Sequence, residues 1–111
     1  DSNYIKEVYA ATEPGAEESA TKVFSVGDSV YLTTQYYVAT PGHTSRFRML
    51  SDASGAIKGF YGSEYVVPDT GSYSNSRTVT GLSAGVYYFT TVILAPGNHM
   101  ISPDGYLFIV E

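Results

Sequence analysis

The stretch Gly81-Leu82-Ser83-Ala84-Gly85-Val86-Tyr87-Tyr88-Phe89-Thr90-Thr91-Val92-Ile93-Leu94 decides the fold. From Val86 onward it holds only aromatic and β-branched residues and a closing leucine, with no three-to-four-residue apolar spacing, so 86–94 reads as a strand. Successive strand side chains point to opposite faces. If Tyr87, Phe89, Thr91 and Ile93 face inward, then Val86, Tyr88, Thr90, Val92 and Leu94 face outward, and both faces are apolar. Gly81 to Gly85 also spell G-x-S-x-G, the nucleophile elbow of serine hydrolases. That motif needs a helix after the serine. Here β-structure follows at once, so the segment reads as a turn feeding a strand.

The same period-two pattern runs outward through the chain, broken by Gly, Pro, Ser and Asp turns. Strands are expected at 4–10, 22–26, 29–38, 45–50, 57–61, 73–80, 86–94 and 105–110. In 29–38, Val30, Leu32, Thr34, Tyr36 and Val38 share one face, and Tyr31, Thr33, Gln35 and Tyr37 the other. In 45–50, Phe47 and Met49 oppose Arg46, Arg48 and Leu50, and the apolar pair is expected to face the core. Residues 11–20 form a polar, acidic crossing loop with Glu13, Glu17 and Glu18 in water. Glu64 to Val67 can add an edge piece, which Pro68 must end. No stretch supports a helix of useful length, and no internal repeat is present.

Composition bounds the function. The 111 residues suit one domain spanning 1–111, and the 43% hydrophobic content suffices for one core. The formal net charge is −5 with only six Lys or Arg, so nothing supplies the clustered cations that a phosphate backbone requires. Nucleic acid and anionic membrane surfaces are set aside on that ground. Without cysteine there is no disulfide, thiolate metal site or cysteine nucleophile. A small secreted eukaryotic domain often carries disulfide staples, so their absence points to a bacterial or archaeal protein. The chain opens at Asp1 with no signal-like or membrane-spanning run, as expected of a processed form or a domain of a larger secreted protein. Eleven tyrosines and no tryptophan suit strands whose rings are apolar at one end and wet at the other.

Two segments carry a family resemblance. Leu82, Gly85 and Tyr87 resemble the tyrosine corner of immunoglobulin-like and fibronectin type III-like sandwiches, in which a Tyr hydroxyl bonds back to the loop before its strand. The resemblance implies that Leu82 plugs the core, Gly85 permits the tight turn and Tyr87 makes the bond. Gly27-Asp28-Ser29-Val30-Tyr31-Leu32-Thr33-Thr34 is similar to the start of strand B in Ig-like domains, with Thr34 at the first cysteine position and Phe89 at the second. The chain thus resembles the disulfide-free Ig-like modules of bacterial or archaeal secreted and cell-surface proteins. The implied fold is an all-β, two-sheet antiparallel β-sandwich of seven to eight strands.

No catalytic residues, metal site or cofactor are expected: no carboxylate pair is arranged for acid–base work, and Ser83 lacks its helix. The doubly apolar sheet makes Tyr88, Val92 and Leu94, with Arg46 and Arg48 displayed beside them, the candidate interface. His43, Asn98 and His99 form a candidate site at one end, since the loops holding them share an end of an Ig-like sandwich. Two imidazoles without a third ligand make a poor zinc site. The expected function is that of a non-catalytic extracellular or cell-surface module acting in protein interaction or as a structural unit. Its partner would be another protein or copies of itself. Self-packing into an extracellular filament is one alternative. Binding of polysaccharide on platforms made by Tyr31, Tyr37 and the tyrosines of 61–73 is another.

Overall fold

The computed structural model describes residues 2–111. Its strands are β1 (Tyr4–Ala11), β2 (Val23–Phe24), β3 (Val30–Val38), β4 (Gly42–Asp52), β5 (Ile57–Val67), β6 (Gly71–Val79), β7 (Gly85–Leu94), β8 (Met100–Ile101) and β9 (Tyr106–Val110). The count exceeds eight because β2 and β8 are two-residue pieces that borrow the edges of longer neighbours. A 3-10 turn at Glu17–Ser19 folds the acidic crossing loop back on itself. β5 is longer than its expected extent: it runs unbroken through Glu64 to Val67, and Pro68 ends it.

Two sheets form a sandwich. The small sheet has the order β1-β3-β6, and the large sheet the order β2-β9-β7-β4-β5, with β8 added to β7. Pairings are antiparallel except β2 with β9, which is parallel. That exception follows from the loop at 12–22, which carries the chain from the small sheet across to the far edge of the large one. At the opposite side, β5 and β6 are both edge strands, joined through residues 68–70.

Between the sheets, Val30, Leu32 and Val38 of β3 meet Phe89 and Ile93 of β7, Phe108 and Val110 of β9, and Phe24. Fully burying each such side chain contributes about 1.5–3 kcal/mol. Phe108 anchors one end, edge-on to Phe24 at 5.4 Å and stacked on Tyr87 at 5.5 Å.

Tyr87 donates its hydroxyl proton to the Ser83 carbonyl at 2.7 Å, closing the tyrosine corner, and Leu82 packs partly buried on the core. The turn's conformational demand falls on Gly81, at φ +74°, a region that L side chains rarely adopt. Gly85 is not where the turn needs glycine: it opens β7, and an added Cβ would meet the Tyr87 ring at an ordinary 3.8 Å. Across the sheets, Thr34 bonds to Thr91 at 2.8 Å, both side chains buried. The partner of Thr34 is therefore Thr91, two residues beyond the expected Phe89. A hydroxyl pair thus joins the two sheets beside the positions that resemble the cysteine sites.

Candidate functional site

β4 is turned over relative to expectation. Thr44, Arg46, Arg48 and Leu50 are buried, while Phe47 and Met49 lie on the outer face. Arg46 and Arg48 are therefore not part of an exposed interface; they are 6% and 2% exposed and lie between the sheets. Leu50 sets the phase. It pairs with Phe89, both fully buried, and its parity carries the two arginines inward. The outer positions are stabilised locally, since Phe47 stacks on Phe60 of β5 with centroids 5.9 Å apart.

The inward arginines are accommodated by tyrosines. The Arg46 guanidinium lies 4.8 Å from the Tyr65 ring centroid, and Arg77 of β6 lies 4.3 Å from that of Tyr61. A ring face attracts a cation, but it leaves the in-plane N–H donors unused. Among the described residues, Arg46 Nε, Arg48 Nε and Arg48 Nη2 have no hydrogen-bond partner, and the ion pairs are His43–Glu64 and Lys58–Asp52 only. Burial, then Arg46 and Arg77, pushes the Arg48 guanidinium down to about 10, so it stays cationic at neutral pH. Burial and the Tyr65 hydroxyl push Tyr36 well above the ordinary phenol range, so it stays neutral.

Of these groups, Tyr36, Arg46 and Tyr65 border a cleft of about 370 Å³ where the sandwich is open between β5 and β6. Tyr36, Arg46, Ser63, Tyr65, Tyr73 and Asn75 line it, with Glu64 at the wall. Tyr65 donates to the Tyr36 oxygen at 3.1 Å, Tyr36 stacks on Tyr73 at 5.7 Å, and Tyr73 donates to the Asp69 carbonyl at 2.6 Å. The tyrosines of 61–73 thus build an inward-facing wall rather than an exposed platform. Tyr31 and Tyr37 lie on the opposite, outer face of the small sheet, where Tyr37 stacks on Tyr4 at 5.5 Å.

The outer face of the large sheet is apolar. Tyr88 and Leu94 of β7 are exposed and Val92 half-buried. Leu107 and Ile109 of β9, Ile101 of β8, Met49 of β4 and Phe60 of β5 are exposed around them. Register makes the patch continuous: Leu107 pairs with Tyr88, Ile101 with Val92, and Val92 with Phe47.

The segments holding the candidate loop site lie at one end of the sandwich, where Gly42 approaches Pro96. His43 lies in β4 rather than in a loop, and its Nε2 meets Glu64 Oε1 at 3.2 Å across the β4–β5 pair. Asn98 is occupied by Asn3: it accepts the Asn3 backbone N–H at 2.8 Å and donates to the Asn3 carbonyl at 2.9 Å. Asn3 in turn accepts the backbone N–H groups of Ala39 and Thr40, tying three segments together. His99 is exposed beside them. Among the described residues, no three His, Asp or Glu side chains gather as metal ligands. Ser83 lies before β7, whereas His43 lies near the start of β4, which pairs with the far end of β7.

No family model and no curated protein matches the chain. Solved structures do. The whole chain superposes on 82% of the C-terminal domain of wzt, with a TM-score of 0.67 and 9% identity. A Bacteroides fragilis protein assigned as a beta-galactosidase is matched over 96% of this chain and 17% of that one, with a TM-score of 0.52 and 12% identity. At these identities the similarity shows the β-sandwich fold.

Proposed function

We propose that the chain is a non-catalytic, Ig-like module of a secreted or cell-surface protein that works by surface contact, with the outer face of the large sheet as its interaction surface. The order β1-β3-β6 against β9-β7-β4 supports the Ig-like reading, since it matches strands A-B-E against G-F-C. One observation carries the function: Tyr88, Leu107, Ile101, Met49 and Phe60 form a contiguous exposed apolar surface on one sheet face. Contiguous patches of this kind mark interaction sites far more than scattered exposed residues do. Copies of the chain, or an adjoining protein in the same assembly, would bury it.

Sedimentation velocity over rising concentration tests self-packing. Concentration-dependent association that Leu107→Glu and Tyr88→Glu abolish, with the monomer still folded, is the expected result. A chain that stays monomeric at millimolar concentration removes the self-assembling form of the reading.

A second reading, binding of a saccharide, is favoured by the tyrosine-lined cleft between β5 and β6. Its volume falls within the range of small-molecule sites, about 300–1,000 Å³. The similarity to part of an assigned beta-galactosidase agrees with a saccharide setting.

A further inference from the structure

All three arginines of this acidic chain, Arg46, Arg48 and Arg77, gather on the open side of the sandwich. Arg46 and Arg77 come from different sheets, so the gathering is made by the fold and not by a local run in sequence. Arg77 is exposed, but Arg46 and Arg48 are buried together, where like charges repel and a cation is costly unless it is paired. The chain has eleven Asp and Glu, yet among the described residues none forms an ion pair with these arginines. Glu64, the carboxylate at the cleft wall, is committed to His43.

Tyrosine faces cover the flat sides of two of the guanidinium groups. Arg46, which lines the cleft, is only 6% exposed, and its Nε is buried without a partner. A planar guanidinium edge with free N–H donors matches an oxyanion in two-pronged geometry. Around it, Ser63, Asn75 and the hydroxyls of Tyr36 and Tyr65 supply neutral hydrogen-bonding groups, and the tyrosine rings supply apolar walls. That combination suits a sugar ring more than a bare ion.

We infer that the β5–β6 cleft binds a sugar unit bearing an oxyanion, with the charged group held by the Arg46 guanidinium. The inference rests on the saccharide reading and adds the charge of the sugar to it. Arg48, behind Arg46, is a positioning residue that adds positive potential without touching the ligand.

Titration followed by NMR of the arginine Nε–Hε resonances tests this with four probes: glucuronate, glucose 6-phosphate, glucose and acetate. The expected result is a saturable shift of the Arg46 resonance with either charged sugar, and none with glucose or acetate at equal concentration. Loss of one charged hydrogen bond weakens binding about tenfold or more, so Arg46→Lys should raise the dissociation constant at least that much. Asn75→Ala, at a half-buried position of the cleft wall, keeps the test open if Arg46→Lys fails to fold, and should also weaken binding. Glucose binding as tightly as glucuronate overturns the charge requirement and leaves the saccharide reading standing. Acetate acting as well as glucuronate shows an anion site with no sugar specificity, and no response to any probe removes both readings.

Discussion

β4 and β7 are neighbours in one sheet, paired residue for residue from Ser45–Leu94 to Asp52–Tyr87, yet they fill the interior with opposite chemistry. β7 sends Tyr87, Phe89, Thr91 and Ile93 inward; β4 sends Thr44, Arg46, Arg48 and Leu50. Apolar side chains released from the inside of β4, Phe47 and Met49, stand instead on the outer face beside Val92 and Thr90. A strand's inner face thus follows its register and its position relative to the open edge, and not only the hydrophobicity of its alternating sets. β7 lies at the centre of the large sheet and packs a dry core. β4 lies one strand from the open side, where long arginine stems can run along tyrosine rings toward the cleft.

The largest expected effect separates the two interiors. Phe89→Ala on β7 empties a fully buried site and should destabilise the fold by about 3–5 kcal/mol. Arg48→Met on β4 replaces an unpaired buried cation with an apolar chain of similar length. Such replacements are neutral or stabilise by about 1–4 kcal/mol. Denaturant unfolding of both variants is the measurement. If Arg48→Met costs as much as Phe89→Ala, the arginine is part of the stabilising core, and the contrast between the strands collapses.

A smaller effect sits where the strands touch, because Arg48 pairs in register with Thr91. Thr91→Val removes the partner of the buried Thr34 hydroxyl, and an unsatisfied buried group costs about 1–3 kcal/mol. The double change Thr34→Val with Thr91→Val removes both hydroxyls and should recover most of the loss. The double-mutant cycle then gives a coupling energy that belongs to the pair. Additive costs in that cycle would mean that the two hydroxyls do not depend on each other.

The fold was legible because its strongest signals are local. Turn residues bound the strands, Val30 to Val38 alternate cleanly, and the 81–87 segment spells a corner whose bond forms at Tyr87. The apolar outer face was legible for β7 and β9 for the same reason, since both alternating sets of those strands are apolar. The cleft was not. Hydrophobicity ranks Phe47 and Met49 above Arg46 and Arg48, and that ranking puts the wrong set inside. The signal lay elsewhere, in Leu50 sharing the arginines' parity and in Tyr61 and Tyr65 spaced to share one face of β5. A reading that treats arginines as surface residues passes over it. At the loop end the sequence hid the partners: Asn98 answers to Asn3, 95 residues away, which no local pattern reveals.

The smallest effect bears most directly on the orientation of β4. Met49 is 37% exposed on the outer face, opposite Phe60 and Thr90. Surface substitutions of this kind usually change stability by no more than about 0.5 kcal/mol, so Met49→Gln should leave the unfolding midpoint nearly unchanged. Were Met49 in the core, the same change would bury an amide without a partner and remove apolar packing, at a cost of about 2–5 kcal/mol. The substitution also makes the outer face more polar at a position next to Phe60, so any self-association through that face should weaken while the fold holds. A large loss of stability would return Phe47 and Met49 to the interior, put Arg46 and Arg48 back in solvent and leave the cleft without its cations.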